Sequence, residues 1–270
     1  MDAVDLAGVV LAAGAGRRLA PLTDERPKAA CPVDGRPLVT WALERLAPAT
    51  SAVAVNLHHG AAAIDALLPP AVHRSPEPAE ALGTAGALGA LRPWLAGRAV
   101  LVTNADAWLG PVDLGRFVDG WDGERVRLLC VRDPARRDFG DLRYAGVALH
   151  PAAVVERFRP EPSGLYEVCW RAEEAAGRLD LVVHAGPFVD CGTPADYLLA
   201  NLAASGGRPA VDPTARVAPD AVLRRAVVWD GAEVVAGEVL VDAIRTPTAT
   251  VLVRRGGRPV GDPGGGGSAP

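Results

Sequence analysis

The chain of 270 residues is 49% apolar and 22% charged, a balance that excludes a disordered polypeptide and supports a buried core. A formal net charge of −4 removes the overall attraction that nucleic acid or an anionic membrane surface would need, so any bound anion must be met by a local cluster of cations. No apolar run is long enough to span a bilayer, the opening Met1-Asp-Ala-Val-Asp5 has no basic leader, and the separated Cys31, Cys130, Cys169 and Cys191 fit neither a zinc site nor a disulfide framework; a cytoplasmic protein with reduced, partly buried thiols is expected.

Residues 8–13 form a short apolar run ending in Gly14-Ala-Gly16, the pattern of a buried parallel strand that opens into a glycine turn. Further strands are predicted over 53–57, 99–103, 126–131, 145–149 and 181–184, and helices over 38–46, 61–68, 84–91 and 194–204. Their alternation predicts an α/β fold, a Rossmann-like, mostly parallel sheet with helices on both faces, filling a domain of residues 1–205. Ligands of such sheets bind past the carboxyl ends of the strands, where Gly14, Asp106 and Asp190 fall. Beyond Gly206-Gly207, apolar residues recur about every six positions (Val211, Val217, Val222 or Leu223, Val228, Val234, Leu240), which predicts a short left-handed β-helix of hexapeptide repeats over 208–253. So short a stack is rarely stable alone and has to dock on the main domain or on another subunit. Residues 254–270 are expected to form a flexible, glycine-rich tail.

The chemistry concentrates in Leu11 to Val39. Neither common phosphate loop is present: there is no Walker-type ending, and Leu19 stands where a dinucleotide-binding GxGxxG needs its third glycine. The segment still suits a nucleoside triphosphate, because glycines let backbone N–H groups close on phosphates while Arg17, Arg18 and Lys28 supply charge. A plain strand-to-helix turn with solvated arginines fits the same glycines. Of 28 basic residues only Lys28 is a lysine, a compact point charge among planar forks, so its position carries information.

The residues Leu11, Ala12, Ala13, Gly14, Gly16, Arg18, Leu19, Pro21, Leu22, Thr23, Pro27, Lys28, Pro32, Val33, Gly35, Pro37 and Leu38 carry a resemblance. They are similar to the N-terminal signature of the sugar-phosphate nucleotidyltransferases, or NDP-sugar pyrophosphorylases, and the chain resembles that family over nearly its whole length. The resemblance implies that Leu11, Ala12, Ala13, Gly14 and Gly16 meet the nucleotide and that Arg18 and Lys28 are catalytic cations on its phosphates. Glu80-Ala-Leu-Gly-Thr-Ala-Gly-Ala-Leu88 resembles the family element that lies against the base, which assigns Glu80, Gly83 and Thr84 to that contact. Thr103-Asn-Ala-Asp106 and Asp190-Cys-Gly-Thr-Pro194 resemble the two segments whose aspartates hold Mg2+, with Asn104 beside the nucleotide. Gly146 and Glu167 fall where relatives contact the sugar. On the residues alone, Asp106 also reads as a turn residue, and Thr193 with Pro194 and Asp196 as a helix capping box.

The implied reaction joins a nucleoside triphosphate to a sugar-1-phosphate, giving an NDP-sugar and pyrophosphate with Mg2+ as cofactor. Its nucleophile is already anionic, so no general base is required and His58 and His59 are expected to be structural. The partners implied are those two small molecules, with no nucleic acid and no membrane, and the repeat makes a homo-oligomer plausible. The family's Glu-Lys-Pro element, whose lysine contacts the sugar phosphate, has no counterpart here, which leaves Arg137 or Arg143 to substitute and leaves open a catalytically idle nucleotide-sugar-binding relative. Glu80 with its glycine element and the short repeat resemble the mannose-1-phosphate guanylyltransferases, so GTP with mannose 1-phosphate is the expected pair and a uridylyltransferase for another sugar-1-phosphate the alternative. Asn56-Leu-His-His59 resembles instead the uridylyltransferase that acts on N-acetylmuramic acid 1-phosphate.

Overall fold

The computed structural model describes residues 5–77 and 79–253; the tail expected over 254–270 lies outside the described residues. β1 (Leu6–Leu11) leads through the glycine turn to the short helix α1 (Leu22–Glu25). A hairpin of β2 (Pro32–Val33) and β3 (Arg36–Pro37) feeds α2 (Leu38–Leu46), followed by β4 (Val53–Leu57), α3 (Ala61–Asp65), β5 (His73–Pro76) and α4 (Gly83–Leu95). Then come β6 (Ala99–Asn104), β7 (Ala107–Leu109), α5 (Leu114–Val118), β8 (Val126–Arg132), β9 (Leu142–His150) and α6 (Ala152–Val155). The sequence closes its main body with α7 (Arg171–Ala175), β10 (Leu179–Val183), β11 (Phe188–Asp190) and α8 (Pro194–Ala204).

Seven strands form one sheet in the order β10-β8-β9-β6-β1-β4-β5. All pairs are parallel except those of β9, which runs antiparallel to both β6 and β8. Successive side chains of a strand point to opposite faces. Accordingly Val10, Leu101 and Val147 pack with Leu46 of α2 and Ile64 of α3, while Val9, Val102 and Ala148 pack with Leu88 and Leu91 of α4 and Val154 of α6. Both faces are covered by helices, which is why these strands read as continuous apolar runs rather than alternating ones. Among the described residues no helix is long and apolar enough to cross a membrane. All four cysteines are free and buried, and burial pushes the Cys31 and Cys191 thiols up to about 12.

Helix α4 owes its closeness to its neighbour to glycine. A methyl at Gly86 would lie 2.1 Å from the Glu161 carbonyl oxygen, and one at Gly89 2.3 Å from that of Arg159. Their absence lets residues 159–163 close on the helix, where Ser163 N–H donates to Leu82 O and Ala85 N–H to Ser163 O, each at 3.0 Å.

The C-terminal strands are β12 (Ala210–Val211), β13 (Arg216–Val217), β14 (Val222–Val228), β15 (Glu233–Val234), β16 (Val239–Arg245) and β17 (Thr250–Leu252). Parallel pairing matches Ala210 with Val227, Arg216 with Glu233 and Val222 with Val239, each step advancing 17 residues. Corner residues Arg225 and Asp242 share a left-handed backbone (φ 48 and 47) and form an ion pair at 2.5 Å. β17 runs antiparallel to β16. These strands dock on the main body: Val227, Trp229 and Ile244 enter the same buried cluster as Leu19, Leu22, Tyr197 and Leu198.

His150, fully buried at the end of β9, accepts a hydrogen bond from Trp170 Nε1 (3.0 Å) on Nε2, while its Nδ1 has no partner. Burial holds its pKa down to about 3. The unfolded chain therefore binds a proton that the folded chain refuses between that value and the ordinary range near 6.5. Stability from this group is complete above that range and declines as pH falls, by about 1–2 kcal/mol on going from about pH 6.5 to 5. Thermal melts of wild type and His150→Phe at both pH values are expected to show a smaller acid loss in the variant; equal losses would remove His150 as a cause.

Candidate active site

β1, β4 and β6 are parallel neighbours, so their carboxyl ends open on one side of the sheet. A cleft of about 410 Å³ lies there, lined by Leu11, Ala12, Ala13, Gly14, Gly16, Arg18, Lys28, Asn56, Gly83, Thr84, Asn104, Asp106 and Gly192 together with adjoining residues. Most of the residues expected to meet the nucleotide thus converge, although they come from four separate stretches of sequence, 11–18, 28, 83–84 and 104–106.

The two glycines of the turn have different reasons to be glycine. Gly16 has a left-handed backbone (φ 63), and a methyl on it would sit 2.8 Å from Lys28 Cβ. Gly14 would meet nothing within 4 Å and lines the cleft, so the fold itself leaves room for a side chain there. The bare backbone at Gly14 suits close approach by a ligand. A Gly14→Ala variant is expected to melt within about a degree of wild type, as surface substitutions do, yet to bind nucleoside triphosphate about tenfold more weakly, a loss of about 1.4 kcal/mol. Unchanged affinity by calorimetry would show that phosphates do not approach this turn.

Lys28 follows an extended Pro27 and begins a single helical turn that buries it to 6% exposure. Its Nζ lies 3.0 Å from Asp106 Oδ2 and 3.6 Å from Asp190 Oδ1. The aspartates, 84 positions apart in sequence, are joined by a small ladder: β11 runs antiparallel to β7 with Asp190 opposite Ala107, and Cys191 N–H donates to Asp106 O at 3.1 Å. Arg18 lies over Gly192, its Nη2 3.2 Å from where a methyl would stand, so that glycine makes room for the guanidinium. Behind it Thr193 caps α8, its Oγ1 accepting from Asp196 N–H at 3.2 Å, so the capping reading and the adjacent Asp190 coexist.

Four assigned residues lie outside the cleft lining; one of them, Asp190, still reaches it through Lys28, and the other three stand apart. Glu80 is exposed at the entrance to α4, outside the lining set. Glu167 is exposed, with its carboxylate folded against Gly164. Gly146 lies behind the cleft wall, 3.4 Å from Asn104 Cβ when a methyl is placed on it. The glutamate that does serve this region is Glu77: buried, it accepts from Asn56 Nδ2 and from Leu82 N–H, each at 2.8 Å. Asn56 in turn accepts from Ala12 N–H at 2.7 Å, so one buried amide and one buried carboxylate tie the ends of β1 and β4 to the start of α4. His58 meets the Glu77 carbonyl through Nδ1, a structural role.

Residues 8–180 match the family model of the MobA-like NTP transferase domain. The chain belongs to this family. It is 41% identical over 105 residues to the N-acetylmuramate alpha-1-phosphate uridylyltransferase of Neisseria meningitidis serogroup B, covering 36% of this chain and 46% of that protein. With the enzyme of the same name from Caulobacter vibrioides it shares 36% over 137 residues, 46% of this chain and 56% of the other. The chain thus spans about half the length of these two relatives. Molybdenum cofactor guanylyltransferase of Cereibacter sphaeroides is 36% identical over 152 residues, 56% of this chain and 72% of that protein. Among solved structures, a Bacillus anthracis protein assigned as a glucose-1-phosphate thymidylyltransferase and solved with sucrose superposes with a TM-score of 0.62 at 17% identity, over 75% of this chain and 95% of the other. That likeness establishes the shared fold.

Within this NTP transferase frame two arginines gain significance. Arg45 of α2 is a buried cation: Nη1 donates to Thr103 Oγ1 at 2.6 Å and Nη2 to Ala107 O at 3.4 Å, so it spans both ends of the turn that presents Asn104 and Asp106. Burial lowers its pKa to about 10, which still leaves it charged near neutrality. Arg143 of β9 pairs with Asp190 Oδ2 at 3.1 Å and with Asp133 Oδ2 at 3.6 Å. Arg143, one of the two arginines expected to substitute for the second lysine, reaches one member of the aspartate pair, Asp190.

Proposed function

We propose that this chain is a nucleotidyltransferase that joins a nucleoside triphosphate to a sugar-1-phosphate, releasing pyrophosphate. The observation that carries the reading is Lys28, the lone lysine, set between Asp106 and Asp190 at the floor of a glycine-walled cleft. An oxygen of the sugar phosphate attacks the α-phosphorus in line, and the departing pyrophosphate carries away the charge. Backbone N–H groups of the Gly14 turn orient the phosphates, and Arg18 and Lys28 neutralise them. Arg143 serves the incoming sugar phosphate, with a planar fork in place of the point charge that the family's second lysine supplies.

Asp106 and Asp190 fit Mg2+. Their carboxylates converge on Lys28 Nζ at 3.0 and 3.6 Å and are hard oxygen donors of the kind Mg2+ takes, so these two residues would hold it; among the described residues no group of three or more His, Cys, Asp or Glu side chains gathers. When bound, Mg2+ supplies charge neutralisation at the phosphates. With Mg2+ on the two carboxylates, Lys28 would be left to pair with phosphate oxygens.

The preferred base in this reading is uracil. The names of two relatives support it, as does Asn56-Leu-His-His59, whereas Glu80, on which guanylyl transfer to mannose 1-phosphate leaned, is exposed outside the cleft lining. The 17-residue coil supports a left-handed helix of shortened hexapeptide repeats. Pyrophosphate release across ATP, GTP, CTP, UTP and dTTP with a panel of sugar-1-phosphates tests the substrate choice. Turnover that requires UTP and an N-acetylated sugar-1-phosphate is expected; turnover with GTP and mannose 1-phosphate would reverse the assignment.

A further inference from the structure

Lys28 is held by two aspartates that the proposed reaction takes from it, so something else has to fix its backbone. The residues just before it are gripped by the C-terminal coil. One oxygen of the Glu25 carboxylate accepts from both Thr246 Oγ1 and Thr248 Oγ1. Arg26 pairs with Asp230 at 2.9 Å, and its guanidinium stacks 4.3 Å from the centroid of the Trp229 indole. Trp229 is fully buried and donates through Nε1 to Tyr197 Oη at 2.9 Å, and that hydroxyl donates to the Pro32 carbonyl. On the far side of Lys28, Asp34 N–H donates to Asn201 Oδ1 at 2.9 Å.

We propose that the coil is a brace for the phosphate-binding lysine, and that Arg26 is a positioning residue acting through it. The attraction of a point charge falls with distance, so a displacement of Lys28 weakens its hold on a phosphate directly. Glu25 and Arg26 carry the coil's grip to within two residues of Lys28, while Tyr197 and Asn201 fix the chain just beyond. This accounts for a coil too short to stand alone that nonetheless shares a buried cluster with the cleft-forming body. The part concerning turnover rests on the function proposed above; the bracing does not.

The test compares the full chain with Arg26→Ala, Arg26→Lys and the double variant Thr246→Val/Thr248→Val by hydrogen exchange and by pyrophosphate release. In Arg26→Ala, exchange over residues 22–33 is expected to rise about tenfold while residues 38–46 are unchanged, the size that follows from losing a half-buried ion pair and a cation–π contact together. Turnover should fall by a similar factor with the KM for sugar phosphate unaltered, Arg26→Lys should recover part of both effects, and the double threonine variant should loosen the same segment. Unchanged exchange over 22–33, uniform loosening of both segments, or faster exchange with full turnover would each overturn the proposal. If wild type releases no pyrophosphate, the functional reading fails and the exchange comparison alone decides the bracing.

Discussion

Replacing Lys28 with alanine is expected to slow pyrophosphate release about 100-fold to 1,000-fold, the usual effect of removing one preorganised donor from developing negative charge. Circular dichroism should show an intact fold, because Leu19, Cys31 and the rest of the surrounding cluster do not depend on the ammonium. Arginine should not restore the rate. The side chain at position 28 is buried, its Cβ lies where a methyl on Gly16 would be 2.8 Å away, and a larger planar fork cannot take the place of a point charge between two carboxylates. Full activity in Lys28→Ala would remove the mechanism proposed above.

Gly86→Ala is expected to destabilise the protein even though alanine is the better helix former. In an open helix the change would gain about 1 kcal/mol. Here the new methyl would stand 2.1 Å from the Glu161 carbonyl oxygen and 2.9 Å from its carbon, and neither is the end of a flexible side chain. Either α4 or residues 159–163 must move, breaking the paired hydrogen bonds of Ser163. Overpacking of this kind costs about 2–3 kcal/mol, which in a chain of this size lowers Tm by about 5–10 °C. A variant as stable as wild type would show that the two segments are not held in contact in solution.

Much of this architecture was legible in the residues. Leu38–Leu46, Val53–Leu57 and Pro194–Ala204 have the predicted bounds because helical periodicity, a bounded apolar run and a capping box are local signals. The direction of β9 was not legible: a strand covered on both faces reads as an apolar run whichever way it points. Nor was the β7–β11 ladder that brings Asp106 and Asp190 together, since strands of three residues carry no usable period. Glu80 drew attention through its neighbours in sequence, whereas the buried hydrogen bonds belong to Glu77, and only tertiary contact with Asn56 distinguishes them. Arg45 has no motif around it, and its burial beneath the Asp106 turn has no local sequence signal.

The most direct measurement is pyrophosphate release by the wild-type chain with Mg2+, nucleoside triphosphate and sugar-1-phosphate, set against Asp106→Ala. The proposed function predicts release that needs both substrates, stops when Mg2+ is chelated, and is lost in the variant. A folded protein that binds nucleotide-sugar but releases no pyrophosphate with any pair, or an Asp106→Ala variant as active as wild type, would contradict it.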